Sequence, residues 1–421
     1  MSALQRRDAE LFLESVRLAD VAERFGTPSY VYSRAAIESS WRAFDEGLSG
    51  TPHLVCYAVK ANANLAVLGL LARLGSGFDI VSGGELARVL AAGGRPDKVI
   101  FSGVGKGAAE IRAALEAGIR CFNVESEPEL VRLDAIAGSL GRRAPVSLRV
   151  NPDVDAGTHP YISTGLRGNK FGIPHDRALA AYEAAARLPN LDVVGIDCHI
   201  GSQILDPAPL LEALERVLGL AAQVRARGIP LEHVDIGGGL GIAYRMGEQP
   251  PDVAAWCRTA ASRVASAGYG IVMEPGRAIV GNAGVLLTTV EYLKEDKERR
   301  FCVVDASMSE LLRPALYEAW HDIIPVAARP GEEKVWDVVG PVCESADVLG
   351  SDRLLAVSPG DRLAILSAGA YGMAMSSNYN SRPRPCEVMV DGSRAIEVRP
   401  RESTASLFAT ERLIDCTEPV G

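Results

Sequence analysis

The feature that most limits what this chain can fold into is a rhythm. Strand-like apolar runs recur near residues 53–59, 78–81, 98–102, 121–124, 146–150, 193–199, 233–236 and 271–274. Helical patterns separate most of them, at 65–74, 84–92, 108–117, 127–140, 176–188, 208–227 and 252–267. Strand alternating with helix implies parallel β-structure with right-handed crossovers. Eight such units within roughly 225 residues match a (β/α)8 TIM barrel. The competing architecture, a doubly wound open sheet, would not ordinarily carry eight strands in a nucleotide-binding half.

Beyond Ile279 the pattern changes. Runs at 285–291, 301–305, 335–339 and 362–367 read as strands, and 387–390 with 395–398 flank the hairpin signal Asp391-Gly392-Ser393. Helices are few, so this part reads as an all-β domain, a β-barrel or sandwich. The strand-like Ser29-Tyr-Val-Tyr32 has no place in the eight-unit count and is expected to join that sheet. The expected division is an N-terminal segment, 1–33, that joins the β domain, a barrel over 34–278, and a C-terminal β domain over 279–421. The barrel is thereby inserted in the all-β domain.

Each strand of the rhythm ends in a polar group: Lys60, Asp79 with Ser82, Ser102, Glu125, Arg149 with Asn151, His199, Asp235 and Glu274. Any one of these is what the end of a strand ordinarily looks like. As a set they are chemically complementary, and barrel active sites form at the C-terminal ends of the strands. Lys60 stands out, because it stops the run His53-Leu-Val-Cys-Tyr-Ala-Val-Lys60. An ammonium in a low-dielectric site finds an anion or loses its proton. A lysine of lowered pKa can attack a carbonyl and form a Schiff base.

A site for an anion follows the seventh strand, at Asp235-Ile-Gly237-Gly238-Gly239. Successive glycines let backbone N–H groups approach a phosphate. Glycine turns are common, but phosphate sites in barrels often follow strands seven and eight. Glu274-Pro-Gly276-Arg277 follows strand eight. Glu274 is read either as a salt bridge to Arg277 or as a carboxylate that keeps a pyridine nitrogen protonated. His199 could stack on a ring, and Ser202 could hydrogen-bond a phosphate. No second histidine or cysteine stands at ligand spacing, so no metal is expected. In the β domain, Cys343-Glu344 and Gly369-Ala-Tyr371 sit on glycine-flanked loops. Arg313 and Tyr317, four residues apart, share a face on a helical turn and could hold a carboxylate; Glu344 could hold an amine.

Composition excludes several classes. A net charge of −9 argues against a general nucleic-acid binder. No apolar run is long enough to span a membrane, and MSALQRRDAELF has no signal core. The eight cysteines form no C-x-x-C pair, which suits reduced thiols and a cytoplasmic location.

Tyr57-Ala-Val-Lys60-Ala-Asn62, His199-Ile-Gly-Ser202, Gly237-Gly-Gly239, Glu274-Pro-Gly-Arg277, Cys343-Glu344 and Gly369-Ala-Tyr371 together resemble the fold-type III pyridoxal-phosphate-dependent decarboxylases. The resemblance runs from about residue 30 to about residue 385, in the family's order and spacing. Within the family, the motif from His159 through Lys170 and Arg313-Pro-Ala-Leu-Tyr317 are similar to the branch that decarboxylates meso-2,6-diaminopimelate to L-lysine and CO2, the last step of lysine biosynthesis. They are unlike the ornithine and arginine branches.

The resemblance implies pyridoxal 5'-phosphate as cofactor. It implies that Lys60 is the Schiff-base lysine, that His199 stacks on the ring, that Glu274 meets the pyridine nitrogen and that Cys343 is a catalytic thiol. Asp79, Ser202, Gly237, Gly238, Gly239, Gly276, Arg277 and Tyr371 are implied in cofactor binding. Arg277, Arg313, Tyr317, Glu344 and Tyr371 are implied in substrate binding. It further implies a homodimer with shared active sites, the Cys343-Glu344 loop coming from the partner. Ser345-Ala-Asp347 departs from the Thr-Gly-Asp common in the family.

Overall fold

A computed structural model describes residues 3–155 and 169–414. The chain divides into two compact units. One comprises Ser33–Gly284 and Ser367–Ala374; the other comprises Leu4–Tyr32, Val285–Leu366 and the described residues from Met375 onward.

The first unit is built on eight parallel strands: β1 (His53–Ala58), β2 (Gly77–Ile80), β3 (Val99–Phe101), β4 (Cys121–Val124), β5 (Ala144–Asn151), β6 (Leu191–Asp197), β7 (His233–Asp235) and β8 (Gly270–Met273). Each pairs with the next, and β8 returns to β1 through Ile271↔His53 and Met273↔Val55. The ring is therefore closed, as a barrel requires. A short ninth strand, Ile173–Pro174, pairs with the end of β5. Cys56, Ile100, Cys121 and Val272, from four different strands, pack together and are almost completely buried. These strands are apolar on both sides because helices cover the outside of the ring.

Side-chain caps fix where several loops stop and helices begin. Asn64 Oδ1 accepts from Ala66 N at the start of Leu65–Leu74, Ser82 Oγ accepts from Glu85 N at the start of Gly83–Ala91, and Asp252 Oδ1 accepts from Ala255 N at the start of Val253–Ser266. The caps after β1 and β2 leave only a few residues between strand and helix. Lys60 lies in one of these short connections, on a 3-10 turn, Val59–Ala61.

The second unit carries an all-β sheet in the order Val348–Leu355, Lys334–Val339, Arg300–Val304, Gly284–Glu295, Ser29–Ser33, Cys386–Asp391, Arg394–Arg399. Ser29–Ser33 sits between Gly284–Glu295 and Cys386–Asp391. Arg362–Ile365 also pairs with Gly284–Glu295, and Ile323–Pro325 pairs with Arg362–Ile365. These pairings branch but form no closed ring among the described residues. A closed β-barrel or sandwich, expected from the sequence, is thus corrected to an open, branched sheet. Three further short strands, Leu4–Arg7, Glu10–Leu13 and Val16–Arg17, form an antiparallel sheet of their own. Charged residues interrupt their apolar alternation, so they left no period-two signal.

Candidate active site

The C-terminal ends of the eight strands face one mouth, and β1 delivers Lys60 there. Its Nζ donates to Asp79 Oδ2 at 2.6 Å. The register Ala58↔Asp79 sets this pair, placing the last residue of β1 opposite the acid of β2. Asp79 is fully buried, whereas the lysine side chain is 40 % exposed. Burial alone would lower the lysine pKa, but Asp79, with smaller contributions from Tyr371 and Glu274, raises it above its ordinary value. Of the two outcomes open from the sequence, an anion or the loss of the proton, the structure supplies the anion. Lys60 is an ammonium held by an acid.

Glu274 follows β8. Its Oε1 accepts from Asn123 Nδ2 at 3.2 Å and from Ser102 Oγ at 3.4 Å. Glu274, Asp235 and Asp197 place carboxylate oxygens within 4.8 Å of one another, all buried. Burial, then Asp235, Asp79 and Asp197, push the Glu274 pKa well above the usual carboxylate range. Burial and Asp235 do the same to Asp197. Asp235 is pushed up by burial to about 6, against the pull of its hydrogen bond from Gly237. Three carboxylates at this separation cannot all ionise in a dry site, so the cluster holds protons at neutral pH.

The glycine run packs against this acid. A Cβ on Gly238 would lie 2.4 Å from the Glu274 carbonyl oxygen, so only glycine fits. On Gly276 a Cβ would stand 3.0 Å from the Cβ atoms of both Ala58 and Ala61, so the loop after β8 lies directly on the Lys60 turn. Two of the three amides in the run are used within the protein. Gly237 N–H donates to Asp235 Oδ1, and Gly238 N–H donates to His199 Nδ1. The run therefore supplies space as much as donors, which differs from the sequence reading. Because His199 Nδ1 accepts, its proton sits on Nε2. Burial, then Arg149 and Lys60, push the His199 pKa well down, so the ring is neutral.

Arg277 turns towards Ser202 and Tyr244. Its Nη2 donates to Ser202 Oγ at 3.0 Å and its Nη1 donates to Tyr244 Oη. The guanidinium also lies 4.8 Å from the ring centre of Tyr371, within cation–π range. Tyr371 arrives on the segment Ser367–Ala374 and is tied to the Lys60 turn by its N–H to Ala61 O at 2.8 Å. Asn62 Nδ2 donates to Gly369 O in the same segment. Tyr371 has a φ of 57°, unusual for a bulky residue and a common form of strain at functional sites.

The first unit thus brings together Lys60, Asp79, His199, Ser202, Gly237, Gly238, Gly239, Glu274, Gly276, Arg277 and Tyr371. Arg313, Tyr317, Cys343 and Glu344 belong to the second. Arg313 and Tyr317 bound the short helix Arg313–Tyr317. Cys343 is the exposed one of the seven described cysteines. Its N–H donates to Asn380 Oδ1, and Glu344 Oε1 accepts from Tyr379 Oη at 2.6 Å. Most of the motif starting at His159 lies outside the described residues.

Asn123 and Tyr244 were not singled out from the sequence. A polar residue within the apolar strand Cys-Phe-Asn-Val was a usable signal for Asn123. Tyr244 follows the glycine run with no periodic context, and only its contact with Arg277 marks it.

Residues 34–281 match the family model described as "Pyridoxal-dependent decarboxylase, pyridoxal binding domain". The chain is 58 % identical over 410 residues to a diaminopimelate decarboxylase of Vibrio cholerae, covering 97 % of this chain and 98 % of the relative. Among solved structures it is similar to a diaminopimelate decarboxylase of M. jannaschii in complex with L-lysine, with a TM-score of 0.93, 39 % identity and 98 % of each chain covered. It is also similar to the Helicobacter pylori enzyme complexed with L-lysine, with a TM-score of 0.90, 42 % identity, and 94 % and 99 % covered. With both the matched domain and these full-length relatives in hand, the chain belongs to the diaminopimelate decarboxylase family of fold-type III pyridoxal-dependent decarboxylases.

Proposed function

We propose that this protein catalyses the pyridoxal-phosphate-dependent decarboxylation of meso-2,6-diaminopimelate to L-lysine and CO2, the last step of lysine biosynthesis. The observation that carries the reading is the Lys60–Asp79 pair standing at one mouth with the Glu274 cluster and the glycine run. The substrate follows from relatives that share more than half of their residues with this chain over nearly their whole length.

The residues fit the cofactor. Asp79 Oδ1 is buried without a hydrogen-bond partner, as expected of a group arranged around a charged ligand. Gly238 and Gly276 leave no side chain in its way. When bound, pyridoxal phosphate supplies a carbonyl carbon and a ring that takes up the electron pair left by the departing carboxylate.

This chain's residues then have distinct tasks. Lys60 would hold the cofactor at its carbonyl carbon. It must first lose a proton, and Asp79 Oδ2 is the base within reach. Glu274 serves the ring nitrogen. With Oε1 occupied as an acceptor, its proton sits on Oε2, where it can be given to that nitrogen. His199 covers the ring as a neutral imidazole. Ser202, Gly237, Gly238, Gly239, Gly276, Arg277 and Tyr371 bind the rest of the cofactor, with Arg277 and Tyr371 reaching the substrate. Arg313, Tyr317 and Glu344 hold the distal amino-acid end, which orients the scissile bond against the ring plane. Cys343 acts as the thiol near the reacting carbon.

The reading includes a cytoplasmic homodimer in which the Cys343-Glu344 loop completes the partner's site. The exposure of Cys343 supports that placement. No helix among the described residues is long and apolar enough to cross a membrane.

The deciding experiment is CO2 release by the loaded enzyme across diaminopimelate, ornithine, arginine and lysine. Release from diaminopimelate alone is expected. A preference for a diamine-forming substrate would overturn the assignment.

A further inference from the structure

Arg313 opens the helix Arg313–Tyr317 and is only 6 % exposed. The chain leaves that helix through Glu318, whose φ is 52°, and comes back within hydrogen-bond range of it. Ala319 N–H donates to Arg313 O, and two residues later His321 is completely buried. The imidazole makes two contacts of opposite sense. Nδ1 lies 2.7 Å from the backbone oxygen of Leu366, and Nε2 lies 2.8 Å from Arg313 Nη1. A carbonyl oxygen only accepts, so Nδ1 carries a proton. A guanidinium only donates, so Nε2 carries a lone pair. Together the two partners dictate one tautomer and exclude the imidazolium, which would set two donors face to face.

The backbone around this ring is held from both sides. Arg353 Nη2 donates to His321 O at 3.1 Å, and its guanidinium lies 3.3 Å from the ring centre of Trp320. Trp320 Nε1 donates to Asp322 Oδ1 at 2.7 Å, and Leu366 N–H donates to Asp322 O at 2.8 Å. The acceptor presented to Arg313 is therefore a fixed one. A long, rotamer-rich cation held by a rigid neutral acceptor loses little further freedom when an anion binds.

We propose that His321 is the positioning residue for Arg313, a rigid neutral acceptor that aims the guanidinium at the distal carboxylate of the substrate. This deepens the proposed function and rests on its reading of Arg313 as part of the substrate clamp. His321 touches neither the reacting atoms nor the cofactor in this role. Its loss should act on substrate affinity and leave the chemistry at Lys60 intact.

The test compares purified, pyridoxal-phosphate-loaded His321→Phe, His321→Gln, Arg313→Ala and the double variant Arg313→Ala/His321→Phe. Phenylalanine fills the space without an acceptor, and glutamine restores an acceptor and a donor. In His321→Phe the KM for diaminopimelate should rise about tenfold or more, with kcat within about threefold of wild type and the Kd for pyridoxal phosphate unchanged. His321→Gln should return KM to within about threefold of wild type. The double variant should be no worse in KM than Arg313→Ala, because His321 acts through that residue.

An unchanged KM in His321→Phe overturns the proposal, as does a parallel loss of cofactor affinity or a glutamine variant as impaired as the phenylalanine one. If the phenylalanine variant does not fold, His321→Leu takes its place: a KM raised about tenfold, beside a near-wild-type KM in His321→Gln, supports the proposal, and an unchanged KM overturns it. Arg313→Ala separates the two levels. If it leaves KM unchanged, the clamp reading itself falls. If it raises KM while His321→Phe does not, only the role of His321 falls.

Discussion

At Lys60 two opposing effects meet, and distance decides between them. Burial favours the neutral amine, but Asp79 at 2.6 Å favours the ammonium more strongly. The residue is therefore poised by its acid, and Asp79 sets where the amine points. In the Lys60→Ala protein, the visible absorbance of bound pyridoxal phosphate should be lost after gel filtration; a band that survives would sink the assignment of Lys60. A second residue shows the opposite sign. His233, at the start of β7, is 2 % exposed, with both ring nitrogens buried and unpartnered. Burial, then the charge of Arg120, push its pKa down to about 4. The unfolded chain, with a histidine pKa of about 6.5, binds a proton between about pH 6.5 and 4 where the native state does not. Stability from His233 is thus present above about pH 6.5 and lost as pH falls through that window. In urea unfolding, the stability of His233→Gln relative to wild type should improve by about 3 kcal/mol between pH 7 and pH 4. A difference that does not change with pH would mean that His233 titrates normally.

Elements act here by how closely they approach. The loop after β7 touches the backbone after β8 at a distance that leaves no room for a Cβ, and the loop after β8 touches the Lys60 turn at a distance that would crowd one. Two glycines should therefore answer the same substitution with opposite signs. Gly238→Ala must push on the Glu274 backbone and should cost about 1–3 kcal/mol of stability while weakening cofactor binding. Gly84→Ala lies in the exposed first turn of Gly83–Ala91, where the new Cβ would meet only Ser82 Oγ at 3.7 Å. It should be neutral or stabilising by up to about 1 kcal/mol. Thermal melts with a pyridoxal-phosphate titration distinguish them, and equal behaviour would mean that the loop gives way. Helices and barrel strands were legible because each leaves a local period and several carry a capping residue at the start. The three N-terminal strands and the open form of the second sheet were not. Pairing between distant segments leaves no mark on either segment alone, and Arg-Arg in Leu4–Arg7 hides even the alternation.

For the whole molecule, the functional reading requires two chains. Wild-type-like sites should form in mixtures of Lys60→Ala and Cys343→Ala chains if Cys343 serves the partner's site. An equimolar mixture should regain about a quarter of wild-type activity, since half of the dimers are mixed and each carries one intact site. No recovery, with subunit exchange verified by mass, would mean that each site is built from one chain. The carboxylate cluster is also a property of the assembled barrel. Asp197, Asp235 and Glu274 come from the ends of three adjacent strands, and the pairing of β6 with β7 and of β7 with β8 brings their oxygens within 4.8 Å. Each residue alone reads as an ordinary strand end.

By itself the sequence determined the eightfold alternation, the placing of Lys60 where β1 stops, and the family motifs around it. These are local properties, written in apolar periods, caps and glycine runs along the chain. The tertiary structure alone decided what each of these groups is doing. It set Asp79 against Lys60 and so kept the lysine charged. It turned Arg277 to Ser202 and Tyr244, used two of the glycine amides inside the protein, and gathered three acids that must share protons. Charge state and orientation depend on neighbours within a few ångströms in space, and most of those neighbours lie tens of residues apart in the chain.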